Sequence, residues 1–164
     1  MSILQDCSEA FVKKIASLSA ELRFNPETTI IREGMQGQTM LVLLRGCVRL
    51  SIDDVQVERY SAEPRMEDGS PGKACCMGQM IFLGLVETWQ ETLVAETACT
   101  ICEIQLADVE ALFNEDFKAE GQRFQSIREE HEGSDYIFAG TVEKRIGLFQ
   151  NFSENTVRML DSVT

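Results

Sequence analysis

From Cys76 to Glu96 the chain reads CMGQMIFLGLVETWQETLVAE, an order of residue types that predicts a strand, a turn, a short helix and a second strand. Gly78 ends the first strand, Met80, Ile81, Phe82 and Leu83 form an apolar turn, and the β-prone run Thr92, Leu93, Val94, Ala95 closes the unit. Unpaired N–H groups at the start of a short helix suit an anion, and a glycine lets a ligand approach the main chain. The unit has the outline of a phosphate cradle, yet no lysine or arginine completes it, because neither occurs between Lys73 and Lys118.

Upstream, Ser8 is placed to cap an amphipathic helix carrying Phe11, Ile15, Leu18 and Leu22 on one stripe, broken by Phe24 and Pro26. A β run begins at Thr28 to Ile31, and Glu33-Gly34-Met35-Gln36-Gly37 reads as a turn. Two apolar runs, Thr39 to Leu44 and Cys47 to Ile52, separated by Arg45-Gly46, read as an antiparallel pair. Asp53-Asp54 then turns the chain into Val55 to Tyr60, which alternates with period two as a half-exposed strand does. The stretch from Ser61 to Lys73 is rich in proline, glycine, serine and charge. It reads as a loop, either a solvated excursion or a cover for the mouth of the cradle.

Downstream, Thr92 to Ala95 and Thr100 to Ile104 are expected to form a further hairpin. Asp108 starts a helix with Val109, Leu112 and Phe113 on its inner face, and a second helical stretch carries Phe117, Phe124 and Ile127 before Gly133 ends it. Periodicity alone gives an all-β core with flanking helices.

Composition bounds the function. A chain of 164 residues with a formal charge of −12 has no clustered lysine and arginine for a polyphosphate backbone, which excludes a nucleic-acid partner. No apolar run is long enough to span a bilayer. Six cysteines without a signal peptide indicate a reducing, cytoplasmic setting. Cys99 and Cys102 stand three apart on a strand and so point to opposite faces, and with His131 the only histidine no metal site is expected. No nucleophile–base pair has workable spacing, so an enzyme is not expected either, and no cofactor is implied.

The region from Phe24 to Ile104 resembles the cyclic-nucleotide-binding domain of kinase regulatory modules, gated channels and bacterial catabolite activators. Phe24, Pro26, Ile30, Glu33, Gly34, Gly37, Met40 and Gly46 fall where that family has its Phe, Pro, Ile, Glu and turn glycines. The resemblance implies a jelly-roll-like antiparallel β-barrel with N-terminal and C-terminal helices. It implies a helical lead-in over residues 1–23, a β-roll over 24–106 with the cassette at 76–96, C-terminal helices over 107–138, and a linker over 139–164.

In the family the cassette reads roughly F-G-E and, further on, R-T-A-T-V, where the Glu holds the ribose 2′-hydroxyl and the Arg the cyclic phosphate. Here Met77-Gly78-Gln79 stands for the first motif and Trp89-Gln90-Glu91-Thr92-Leu93 for the second. The arginine's place falls to Trp89, or to Gln90 if the spacing slips by one residue, and Glu91 would repel a phosphate. Losing a charge-assisted hydrogen bond forfeits roughly 1.5–3 kcal/mol, so ordinary cAMP or cGMP affinity is not expected. Two readings of Trp89 stay open, a core residue filling the pocket or a stacking platform for a less charged, nucleoside-like ligand. In the second, Gly78 and the N–H groups of Gln79 and Met80 hold the ligand's polar end, Ile81 and Thr92 complete the pocket, and Tyr136, Ile137 and Phe138 are candidates for a lid.

Finally, Leu148-Phe149-Gln150-Asn151-Phe152-Ser153-Glu154 repeats the register of Ile3-Leu4-Gln5-Asp6-Cys7-Ser8-Glu9. The match continues through Val12/Val157, Lys13/Arg158, Ile15/Leu160 and Ser17/Ser162. This predicts the start of a second module in a tandem array, with neighbouring domains, a kinase catalytic domain or subunit among them, as partners.

Overall fold

The structure is a computed structural model and describes residues 7–64, 72 and 74–132. Over that range the elements run α1 (Glu9–Leu18), β1 (Ala20–Phe24), β2 (Thr29–Ile31), β3 (Thr39–Ile52), β4 (Val55–Ala62), β5 (Cys75–Met77), α2 (Gln79–Phe82), β6 (Thr92–Ala95), β7 (Cys99–Gln105), α3 (Leu106–Asn114) and α4 (Lys118–Glu132). The strands curl into an antiparallel half-barrel of the jelly-roll type, with helices at both ends.

One strand holds the roll together. The two expected strands at Thr39 to Leu44 and Cys47 to Ile52 are a single strand, β3, bent at Gly46 with φ +101°. A lone glycine in that conformation kinks a strand without reversing it, so the expected hairpin at Arg45-Gly46 does not form. The first half of β3 pairs with β5 and β7, and the second half with β4 and β6.

The expected hairpin between β6 and β7 is absent for the same reason. β6 pairs with β2 and β3, whereas β7 pairs with β1 and β3, so the two strands lie on different halves of the roll. Their connection crosses the bend in β3. Glu96 and Thr97 both donate backbone N–H groups to the Cys47 carbonyl, and the Thr97 hydroxyl accepts from the Cys47 N–H at 2.9 Å. A Cβ at position 46 would lie 2.5 Å from the Ala98 carbonyl oxygen, which is why glycine stands there.

Both faces of the first half of β3 are buried, which explains its unbroken apolar sequence. Met40 and Val42 join Cys76, Cys102 and Ile104 under the helices, packed against Phe11 and Ile15 of α1, Val109 and Leu112 of α3 and Phe124 of α4. Leu41 and Leu43 point the other way, into the roll, with Val48, Met77, Trp89, Leu93 and Ile101. Cys99 and Cys102 fall on opposite faces, as their spacing predicts.

Helix α1 starts where expected, with the Ser8 hydroxyl accepting from the Phe11 N–H at 3.3 Å. It stops at Leu18, and Leu22, expected on its apolar stripe, sits instead on β1, paired with Ile101 of β7. The ladder to β7 overrides the helical spacing. Helix α3 begins at Leu106, ahead of the expected Asp108, with Gln105 at the end of β7 in the N-cap position but making no side-chain capping bond. Asp53 and Asp54 both take positive φ, 50° and 62°, and close the β3–β4 hairpin as their residue types suggest.

Candidate functional site

The cassette is set by three backbone features. β5 pairs with Leu41, Val42 and Leu43 of β3 and ends at Met77. Gly78 then turns the chain in the left-handed region, φ 81° and ψ 21°, and caps α2. On the far side, residues 87–89 pair with the 34–37 turn: Trp89 N–H donates to the Met35 carbonyl, Gly34 N–H to the Trp89 carbonyl and Gly37 N–H to the Glu87 carbonyl, each at 2.8 Å. This short ladder fixes the backbone of Trp89.

The indole points inward and is 2% exposed. It lies on Gly78: a Cβ built there would come within 2.6 Å of Trp89 Cη2 and 3.1 Å of the Thr39 carbonyl oxygen. Gly37 leaves similar room for Ile81, whose side chain would meet a Cβ at 2.6 Å. Gln79 is 3% exposed, and neither its amide oxygen nor its amide nitrogen has a hydrogen-bond partner among the described residues. A buried amide left unpaired costs about 1–3 kcal/mol.

The other expected site residues divide. Met80 is half-buried on α2, and Ile81 is buried in the roll. Gln90 is half-buried and turns its amide back on its own strand, donating to the Thr88 carbonyl at 3.0 Å and hydroxyl at 3.2 Å. Glu91 lies near Tyr60, whose phenol is pushed up by burial, then by Glu58 and Glu91. The Thr92 hydroxyl accepts from the Glu33 N–H at 3.0 Å, a structural bond across the roll. Gly78, Gln79, Ile81 and Trp89 thus come together, while Gln90 and Thr92 are engaged elsewhere. Tyr136, Ile137 and Phe138 lie outside the described residues.

Tertiary structure brings one cation to the cassette that sequence spacing does not reveal. The Arg128 guanidinium of α4 lies over Gly84, just past α2, with Nη1 3.1 Å from where a Cβ would stand. The 44-residue separation leaves no local signal for this contact. Nearby, Phe82 meets Phe124 of α4 edge-on at 5.4 Å, and Phe124 touches Phe113 at 5.2 Å and Phe11 at 6.2 Å. One aromatic cluster therefore joins the cassette helix to α1, α3 and α4.

Nucleophilic chemistry finds no support. Burial pushes the thiols of Cys47, Cys76 and Cys99 up, away from the reactive thiolate. Among the described residues no group of three or more His, Cys, Asp or Glu is placed to hold a metal, and no helix is long and apolar enough to cross a membrane.

A left-handed glycine entering a short helix on an antiparallel roll, with helices packed behind, is the architecture of one family. Residues 21–116 match the cyclic nucleotide-binding domain, and the chain belongs to that family of regulatory, non-catalytic modules. Among solved structures, it is similar to the C-linker/CNBHD of zELK channels, with a TM-score of 0.61, 14% identity and coverage of 82% of this chain and 63% of that one. It is similar to the catabolite activator protein of Thermus thermophilus, with a TM-score of 0.57, 15% identity and coverage of 78% and 56%. The sensor domain of the transcriptional regulator DNR from Pseudomonas aeruginosa gives a TM-score of 0.57 at 10% identity, covering 92% and 89%. The chain thus spans under two thirds of the length of the first two. At these identities the likeness is one of fold. A search of curated proteins found no match.

Proposed function

We infer that this chain is a regulatory module of the cyclic-nucleotide-binding fold in which its own Trp89 takes the place of the cyclic phosphate. One observation carries the reading: an indole 2% exposed and seated on Gly78, where the family's anion would approach the main chain. No cation replaces the missing arginine within the cassette sequence, so binding of cAMP or cGMP is impaired or absent. The module acts through packing, and the Phe82–Phe124 contact joins the cassette helix to α4. It serves neighbouring domains of a tandem array, or a kinase or channel to which such a module is attached. The similarity to the zELK C-linker/CNBHD supports the channel alternative at the level of fold. None of the six cysteines forms a disulfide, which fits a cytoplasmic setting.

A second reading is favoured by Gln79, whose buried amide lacks partners among the described residues. A neutral, hydroxyl-bearing ligand such as a nucleoside would satisfy it without a phosphate.

Thermal-shift and calorimetric titrations with cAMP, cGMP, adenosine and guanosine separate these. Ligand at a hundredfold its Kd stabilises a fold by about 2.7 kcal/mol. The expected result is no shift with cAMP or cGMP. A clear shift with either overturns the primary reading, and a shift with nucleosides alone selects the second.

A further inference from the structure

A second concave site lies at the bend of β3. Its cleft, about 660 Å³, is lined by Arg23, Phe24, Asn25, Arg45, Pro64 and Thr100, among others. Arg45 stands six residues beyond Thr39, which puts it about 20 Å along the strand from the cassette glycine's neighbour. Gly46, Thr97 and Ala98, where the β6–β7 connection passes over the bend, also line the cleft.

The charge of this cleft opposes that of the molecule. The chain carries 27 acidic against 15 basic residues, yet none of the described residues lining the cleft is acidic and two are arginines. Sheet register explains their convergence. Arg23 of β1 and Arg45 of β3 are both directly opposite Thr100 of β7, so guanidinium, hydroxyl and guanidinium share one face in one row. Two strand spacings put the arginine α-carbons about 10 Å apart, within reach of a single group between them.

The two arginines are not equivalent. Arg23 donates from Nε and Nη2 to one oxygen of Glu21, at 3.0 and 2.9 Å, which offsets part of its charge and leaves Nη1 for another acceptor. Arg45 makes no ion pair with the described residues. Phe24, Ala62 and Pro64 supply an apolar wall. The volume lies in the range of small-molecule sites.

We propose that the Arg23–Thr100–Arg45 row is a binding site for a small organic oxyanion, a carboxylate or a phosphate monoester, carried on an apolar body. Arg45 supplies the dominant charge, Thr100 a hydroxyl between the two guanidiniums, and Arg23 orientation. The site is independent of the cassette and of whether Trp89 fills it.

The test titrates the chain with benzoate, phenyl phosphate and inorganic phosphate at constant ionic strength, using chloride as reference and following amide chemical shifts. Saturable binding of benzoate or phenyl phosphate centred on Thr100, with inorganic phosphate weaker, is expected, and comparing the first two tells carboxylate from phosphate. Arg45→Gln should weaken binding about tenfold or more, and Arg23→Gln less, because Glu21 already shares that charge. Both side chains are exposed, so neither variant threatens the fold. Trp89 fluorescence should stay unchanged. Absence of saturation with both aromatic anions, affinity unaltered in Arg45→Gln, or binding that moves Trp89 instead would each overturn the proposal.

Discussion

The indole of Trp89 lies against the α-carbon of Gly78, so close that any side chain at 78 would stand 2.6 Å from the ring. The glycine is therefore required twice, by its left-handed φ of 81° and by the ring above it. In a ligand-binding cassette such a glycine makes room for a phosphate. Under the function proposed above, the room is taken by the protein's own ring, which is 2% exposed.

Gly78→Ala should destabilise the fold by about 2–4 kcal/mol, from left-handed strain together with overpacking. Urea denaturation measures it. A loss under about 1 kcal/mol would mean that the ring moves aside readily, and the cassette would then be open rather than filled.

Trp89→Ala should cost about 3–5 kcal/mol, the usual range for deleting a large buried aromatic whose site cannot collapse. The 34–37 ladder that holds its backbone argues against collapse. Trp89→Phe should cost less. Equilibrium unfolding of both variants, compared at equal slope, checks the order.

Gln79→Met keeps the length of the side chain and removes two buried polar atoms that have no partner among the described residues. Stability should rise by about 1 kcal/mol or more. A fall of similar size would show that the amide is satisfied, by water or by a bound molecule. Melting curves of the two proteins decide it.

Glu96 clamps the bend of β3. Its carboxylate accepts from Arg59 Nε at 2.6 Å and Nη2 at 2.9 Å, and from the Cys47 thiol at 3.1 Å. Hydrogen bonding to Arg59, then to Cys47, holds its carboxyl below the usual range. A depressed folded-state pKa gives stability that is present above the unfolded value, about 4.3, and lost as pH falls through the folded one. The stability gap between wild type and Glu96→Gln should therefore be largest near neutrality and shrink in acid. Denaturation midpoints at about pH 6 and about pH 3 test this, and a gap independent of pH would sink it.

Local signals announced the pieces of this protein. Ser8 capped its helix, Asp53-Asp54 closed its hairpin, Gly78 ended a strand, and the absence of any cation between Lys73 and Lys118 was visible without coordinates. Each depends on residues a few positions apart, whose backbone preferences act wherever the chain goes. Resemblance along Phe24 to Ile104 supplied the roll, and Glu33, Gly34 and Gly37 fall in the turn that carries Trp89.

Tertiary structure decided how the pieces pair and where Trp89 is buried. Gly46 reads as a turn in the sequence, and only the 96–98 connection crossing over it makes it a bend. Thr92 to Ala95 and Thr100 to Ile104 look like hairpin partners until β3 claims each on a different side. Trp89 by type is either a core residue or a platform. Contacts with Gly78 and pairing to Met35 and Gly34 in the turn far upstream seat it in the core, because burial depends on neighbours distant in sequence. The same physics places Arg128 over Gly84 and lines Arg23 with Arg45 across Thr100, relationships that register creates and no local pattern encodes.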